Sequence, residues 1–363
     1  MNVVRSLVQS LTSGARTLRT PEALQDAGLI GDGAVAAARA AAETLPIAIP
    51  PALAALIDPD DADDPIARQF VPDSRELAAL AEEHPDPIGD DAHSPVAGIV
   101  HRYPDRVLLT PVLVCPVYCR FCFRRETVGG AVLDDATLEA AIGYIRAHPE
   151  IFEVILSGGD PLILSPRRLA AIMDALDAIP HVAVVRIHTR VPVATPDRIT
   201  DRLLSALRRT TPVYVVLHCN HPRELTGPAQ QAAARIVDSG IPMLSQTVLL
   251  KGVNDDDAVM EALMRAFLKS RIKPYYLHHG DLARGTRHFR TTLAAGQRIM
   301  RALRGRLSGL GQPGYVLDIP GGYGKSPVGP SYLKEGADGG WTVEDWQGGI
   351  HPYRDSADDA EMR

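Results

Sequence analysis

The run Val107-Leu108-Leu109-Thr110-Pro111-Val112-Leu113-Val114-Cys115-Pro116-Val117-Tyr118-Cys119-Arg120-Phe121-Cys122 joins an apolar, β-type segment to a loop with the spacing C-x3-C-x2-C. It holds three of the four cysteines of the 363-residue chain. Three thiolates so spaced can occupy three corners of a cubane 4Fe–4S cluster and leave the fourth iron to a small molecule. Electron-transfer clusters are closed by four cysteines, so an open corner marks an enzyme rather than a relay. Plainer readings compete with this one. Structural zinc takes four protein ligands, usually from paired C-x2-C knuckles, and the other cysteine, Cys219, lies far along the chain. Three reduced structural thiols are the other alternative.

Downstream of this run, β-type segments at 107–114, 152–156, 182–187, 213–217, 243–249 and 274–277 alternate with amphipathic segments at 135–147, 166–178, 196–208, 227–239, 256–269 and 294–307. Six βα units in series predict a parallel sheet with right-handed crossovers. An open doubly wound sheet and a barrel both satisfy that pattern, and the polar residues decide between them. In a barrel, functional groups gather at the C-terminal strand ends. Here the successive ends carry the cysteine loop, Ser157-Gly158-Gly159-Asp160, His188, His218, Gln246 and the segment from His278 to Asp281. One converging mouth accounts for all of them, so the predicted fold is α/β, a partial (β/α)6 barrel.

With 45% hydrophobic and 23% charged residues, the chain can build one large α/β domain with extensions, or two ordinary domains. A formal net charge of −6 gives no general attraction for nucleic acid or an anionic membrane. No run reaches the roughly 18 apolar residues of a membrane-spanning helix. Residues 1–20 carry scattered arginines and no continuous apolar stretch, so they do not read as a secretory leader. The expected compartment is the cytoplasm, whose reducing conditions suit thiolate ligands. Residues 1–100 read as a helical and loop-rich extension that wraps the main domain, with a strong helix former at 34–42. The acidic run Asp58-Pro59-Asp60-Asp61-Ala62-Asp63-Asp64-Pro65 reads as a solvated loop. Residues 101–310 are assigned to the barrel and 311–363 to a C-terminal segment and tail.

Two glycine-rich segments remain. In Ser157-Gly158-Gly159-Asp160-Pro161 the glycines let backbone groups approach a ligand without a Cβ in the way, and a plain tight turn explains them as well. Asp318-Ile319-Pro320-Gly321-Gly322-Tyr323-Gly324-Lys325-Ser326-Pro327 contains one of only five lysines. Its spacing is not that of a phosphate-cradling P-loop. A lysine in a glycine-rich loop at a barrel mouth suits a Schiff base with pyridoxal phosphate.

Taken in order, His101-Arg102-Tyr103-Pro104-Asp105-Arg106, the cysteine loop, Ser157-Gly158-Gly159-Asp160-Pro161-Leu162, His218-Cys219-Asn220-His221-Pro222, Leu249-Leu250-Lys251-Gly252-Val253-Asn254-Asp255, Pro274-Tyr275-Tyr276 and the lysine segment resemble the lysine 2,3-aminomutase family. These are radical S-adenosylmethionine (radical SAM) enzymes, and the resemblance runs from about residue 49 to about residue 330. It implies a radical SAM barrel with a 4Fe–4S cluster on Cys115, Cys119 and Cys122. It also implies contacts to S-adenosylmethionine from Phe121, Ser157, Gly158, Gly159, Asp160, Arg186, His218 and Gln246. Lys325 resembles the lysine that carries pyridoxal phosphate, and Arg102 with Arg106 resemble the pair at its phosphate, where a guanidinium fork fits a dianion. Arg124 resembles the partner of the substrate carboxylate. Asp281 and Asp318 resemble the two carboxylates that receive the ε-ammonium of lysine, an arrangement that would repel an acidic amino acid. The implied activity is that of an isomerase moving the α-amino group of L-lysine to C3 to give β-lysine, supplied with electrons by a one-electron reductant.

Several departures qualify the match. Longer members of the family add a C-terminal cysteine cluster for structural zinc, whereas no cysteine follows Cys219 here, so no structural zinc is expected. The tail instead carries Trp341 and Trp346 and reads as a short capping hairpin. His278 and Gly280 replace residues common near Asp281, and Cys219 reads as a small core residue. Three alternatives stand beside the main reading. Short relatives use the same chemistry to make β-lysine for elongation factor P. A mutase for glutamate is disfavoured by the two aspartates. A non-catalytic, cluster-binding regulatory protein would need neither Lys325 nor Arg102 and Arg106. The sequence fits a monomer or a homo-oligomer equally.

Overall fold

A computed structural model describes residues 16–336 and 339–354; much of the segment read as lacking a leader lies outside them. Nine strands among these residues form one sheet in sequence order: β1 (Ile99–Tyr103), β2 (Arg106–Val112), β3 (Glu153–Gly158), β4 (Val184–Thr189), β5 (Val213–His218), β6 (Met243–Val248), β7 (Ile272–His278), β8 (Gly314–Ile319) and β9 (Gly324–Pro327). Strands β2 to β8 run parallel, and β1 and β9 are antiparallel edges. The edges are not paired as strands. They meet where the Lys325 backbone N donates to the Tyr103 hydroxyl at 2.6 Å. Gly324, at φ 87°, is required there because a Cβ would lie 2.6 Å from that hydroxyl.

The six strands expected from the sequence are present, and the partial barrel is larger than expected by β1, β8 and β9. The lysine segment is therefore not a free loop. Its two arms are β8 and β9, and Lys325 is paired in register with Asp318.

Helices cover the outside of the barrel. The N-terminal extension contributes α1 (Pro21–Asp26), α2 (Val35–Thr44), α3 (Pro51–Ala54) and α4 (Pro65–Phe70). The barrel adds α5 (Asp135–Ala147), α6 (Pro166–Asp177), α7 (Val191–Ala194), α8 (Asp201–Leu207), α9 (Gly227–Asp238), α10 (Asp257–Lys269) and α11 (Leu293–Arg306). Local chemistry explains their limits. Asp134 caps α5 by accepting from Thr137 N at 2.7 Å, and the helix buries Leu138, Ala141, Ile142 and Ile145 on one face. The segment expected as one helix at 196–208 is split, since Thr200 caps a new start for α8 after a short 3-10 turn at Pro196–Arg198. In β4, Val185 and Ile187 are buried on the helix side while Arg186 and His188 alternate with them and line the interior. This period of two turns polar side chains inward without opening the outer core.

The extension packs on the cysteine loop. Leu24, Ile49, Leu53, Ile66 and Phe70 form one core cluster with Val117, and Cys119 packs against it. Arg120, between two cysteines, is 1% exposed and donates to Glu76 Oε1 at 2.9 Å and Oε2 at 2.6 Å. Arg125 reaches the same carboxylate at 2.7 Å. Removing one partner of a buried ion pair typically costs about 3–5 kcal/mol. We therefore expect Glu76→Ala, which strands two buried guanidiniums, to lower stability by that order in urea denaturation and to loosen the cysteine loop. The acidic run is solvated apart from Asp64, which is fully buried, caps α4 and pairs with Arg223 at 2.7 Å.

The expected capping hairpin is a three-stranded sheet, β10 (Leu333–Glu335), β11 (Trp341–Glu344) and β12 (Ile350–Tyr353). Tyr332 holds it to α11, with the Arg304 guanidinium 3.7 Å above its ring. Among the described residues no helix is long and apolar enough to cross a membrane.

Candidate active site

Inside the barrel mouth lies a cavity of about 480 Å³, and every residue given a cluster, cofactor or substrate role from the sequence lines it. Cys115, Cys119 and Cys122 reach it from the loop after β2, which turns back on itself as Cys122 N donates to Cys119 O at 3.0 Å. Burial pushes all three thiols up, Cys122 to about 11, so their thiolate forms would be favoured by a cationic partner. Among the described residues no group of His, Cys, Asp or Glu is gathered around one point for a single metal ion. A cubane spreads its ligands over separate irons, and three thiols on one wall meet that demand.

Beside the cysteine loop, Phe121 packs edge-on against His218, with ring centroids 5.6 Å apart. The glycines after β3 have a structural cause beyond ligand approach. Gly158 sits at φ 98°, and a Cβ there would lie 2.7 Å from Val112 O. The Asp160 carboxylate is already committed to protein: it accepts from Thr189 Oγ1 at 2.8 Å, Arg190 N at 2.7 Å and Leu162 N at 3.0 Å. It thereby ties the end of β3 to the end of β4. Ser157 Oγ lies 3.4 Å from Arg124 Nη1. Arg186 is paired with Glu153 at 2.9 Å, and Gln246 stands in register between His218 and Tyr276.

Arg124 and Arg102 share Asp90. Arg124 donates through Nε and Nη2 to Asp90 Oδ2 at 3.0 and 2.8 Å, and Arg102 Nη2 donates to Oδ1 at 2.8 Å. Burial works against the Asp90 anion, but the two arginines outweigh it and hold its carboxyl below the usual range. One carboxylate thus spaces two cations. Arg106 stacks over the Tyr103 ring at 3.7 Å.

Across the cavity stand Asp318, Lys325, His278 and Asp281. Lys325 Nζ donates to Asp318 Oδ1 at 2.6 Å, and His278 Nδ1 lies 3.5 Å from Oδ2. Burial would raise the Asp318 carboxyl, yet His278 and Lys325 overcome it and hold the group well below its ordinary value. Asp281 moves the other way: burial, reinforced by the Asp318 charge, pushes it up to about 7. Two carboxylates close enough to repel one another mark a place for a cation.

Several buried atoms of residues lining the cavity have no protein partner among the described residues: His188 Nε2, His218 Nε2, Asp281 Oδ1 and the Nε atoms of Arg102 and Arg190. Orphaned polar atoms at such density in a cavity call for ligands. The donor set, with soft thiols on one side and arginines on another, fits a cluster and anionic groups. The sequence places His188 and His278 at the mouth without a role, and Asp90 and Arg190 are not among the residues it points out. The strand-end rule extends to Arg190. Asp90 carries no such signal, because its partners come from distant segments.

A partial parallel barrel that gathers a three-thiol loop, paired arginines and a strand-borne lysine at one mouth fits the class of radical SAM enzymes, with an amine placed to hold a second, carbonyl-bearing cofactor. Residues 109–263 match the Radical SAM superfamily. L-lysine 2,3-aminomutase of Acetoanaerobium sticklandii is 45% identical over 293 residues, covering 80% of this chain and 71% of that protein. L-lysine 2,3-aminomutase of Clostridium subterminale is 44% identical, covering 80% and 70%. Glutamate 2,3-aminomutase of Clostridioides difficile is 38% identical, covering 85% and 73%. The chain belongs to the lysine 2,3-aminomutase family, radical SAM isomerases that use a 4Fe–4S cluster, S-adenosylmethionine and pyridoxal phosphate.

Proposed function

We propose that this enzyme moves the α-amino group of L-lysine to C3 and releases β-lysine. The observation that carries the choice of lysine is the pair Asp281 and Asp318 in the same cavity as Arg124. A substrate spanning the two sites needs a carboxylate at one end and a cation at the other, and glutamate would bring an anion against two anions. Cys115, Cys119 and Cys122 would hold the cluster, and Phe121, the loop from Ser157 to Asp160, Arg186, His218 and Gln246 would surround S-adenosylmethionine. Asp160 would serve there through its backbone. Arg102 and Arg106 would hold the phosphate of the second cofactor on Lys325. When bound, these groups supply a one-electron route to a hydrogen-abstracting radical and a carbonyl that carries the migrating nitrogen.

The protein's own part is placement. Arg124, braced by Asp90 and not free to rotate, fixes the substrate carboxylate, while Asp281 and Asp318 fix the distal ammonium. Held at both ends, the chain presents one β-hydrogen to the radical source, the kind of orientation that lowers barriers without new chemistry. Asp318 is anionic and hydrogen-bonded to Lys325 Nζ, so it aims the amine toward the cavity. Buried walls of Phe121, Leu250 and Phe289 help keep water from the reacting centre.

We further place the enzyme in the cytoplasm, served by a one-electron reductant. We assign residues 101–310 to the radical chemistry, 1–100 to the support of its cysteine loop and 311–363 to delivery of Lys325. The test is an anaerobic assay of the reconstituted enzyme with lysine and glutamate, with chiral analysis of the product. Turnover of lysine is expected, and turnover of glutamate alone would overturn the substrate assignment.

A further inference from the structure

Arg190, given no role above, touches the cysteine loop directly. It follows β4, is 5% exposed and donates through Nη1 to Cys119 Sγ at 3.1 Å. Nη2 donates to Glu224 Oε2 at 2.5 Å and to Gln69 Oε1 at 2.7 Å. The guanidinium lies over Phe70, 4.7 Å from the ring centre. Glu224, fully buried, is itself pinned by the backbone N atoms of Asn220 at 3.0 Å and His221 at 2.9 Å. With three partners and a ring beneath it, the planar fork has one orientation, and one prong of it meets the sulfur.

The other buried arginine of this region behaves differently. Arg120 gives its donors to Glu76 and to backbone carbonyls of the extension, and none to sulfur. Among the described residues no other side chain donates to any of the three cluster sulfurs. A role confined to packing or to neutralising Glu224 does not call for the contact to Cys119.

A cation held at hydrogen-bond distance from a ligating sulfur favours the more negative state of the cluster. Reduction adds one electron, so the reduced form gains more from the donor than the oxidised form does. Hydrogen bonds to the sulfurs and local charge are what set such potentials. We propose that Arg190 is a positioning residue that raises the reduction potential of the cluster through its hydrogen bond to Cys119, bringing it within reach of a low-potential one-electron carrier. This rests on the assignment of the cluster to Cys115, Cys119 and Cys122.

The experiment is a mediated redox titration of the reconstituted full chain and of Arg190→Met and Arg190→Lys, following the spectroscopic signal of the reduced cluster without substrate, after iron and sulfide have been measured. Arg190→Met is expected to weaken the cluster's hold on its electron about tenfold or more, a shift of roughly 59 mV to more negative potential for a one-electron couple. Arg190→Lys, which keeps the charge but not the fork, is expected to shift it less and in the same direction. A Met variant with full cluster content and the parent's potential overturns the proposal. If the Met variant fails to hold the cluster, the Lys variant decides, and an unshifted potential there overturns it equally. Absence of a 4Fe–4S cluster in the parent protein is a separate result, which overturns the cluster assignment and this proposal with it.

Discussion

Lys325→Ala abolishes turnover of lysine, with a loss of roughly four orders of magnitude or more, the scale seen when a covalent catalytic group is removed. The same substitution is expected to remove the site of borohydride-trapped pyridoxal phosphate, which peptide mapping of the parent should find on Lys325. The reason is positional as much as chemical. Lys325 faces Asp318 across an antiparallel pair, so both side chains leave the hairpin on one face, and the Nζ atom is held at 2.6 Å from the carboxylate. The other four lysines do not line this cavity. A label on Lys251 with none on Lys325 would refute the assignment, whereas an unlabelled Ala variant with an intact cluster spectrum would support it.

The second large effect concerns the two carboxylates. Truncating one partner of a buried charge pair costs about 2–5 kcal/mol, so Asp318→Ala should weaken productive lysine binding by roughly 30- to 4,000-fold, read as a loss in kcat/KM. Asp281 adds a pH dependence whose sign is fixed. With its carboxyl pushed up to about 7, it is neutral below that pH and anionic above it. The distal ammonium of lysine stays charged until about pH 10. Hence kcat/KM for lysine should fall as the pH drops through about 7, and Asp281→Asn should erase that limb while lowering activity throughout. Stability should respond oppositely. Because the folded-state value lies above the unfolded one of 3.8, the fold favours the protonated form. The cost of ionisation therefore grows as the pH rises from about 4 to about 7 and persists above it. Asp281→Asn should stabilise the substrate-free protein at pH 8, read as a raised Tm. An unchanged pH profile in that variant would remove Asp281 from the substrate site.

The barrel was legible because its strands are period-two or wholly apolar runs, separated by helices with clear caps, and because polar residues recur at the strand ends. The two edges were not. β9 is Gly-Lys-Ser-Pro, a composition that favours turns, and it is a strand only because β8 offers it partners in register. β1 likewise depends on pairing with β2. Among the site residues, Cys115, Cys119 and Cys122 announce themselves by spacing and Lys325 is only suggested by its glycine-rich segment, while the resemblance supplied the role of Lys325 and with it Arg102, Arg106, Arg124, Asp281 and Asp318. Asp90 was invisible because its meaning lies in Arg102 and Arg124, each brought to it by the fold. The sequence offers ligand approach or a tight turn for the glycines after β3, and their tighter constraint is the neighbouring strand.

The contact between Tyr103 and Lys325 joins the two free margins of the sheet at the lysine proposed to carry the reactive amine. Closing the barrel and aiming that amine are consequently a single structural event. Any breathing motion that parts β1 from β9 also turns the nucleophile off its line. Amide exchange at Lys325 should then report, in one signal, both how often the wall opens and how often the enzyme is unfit to begin a turnover.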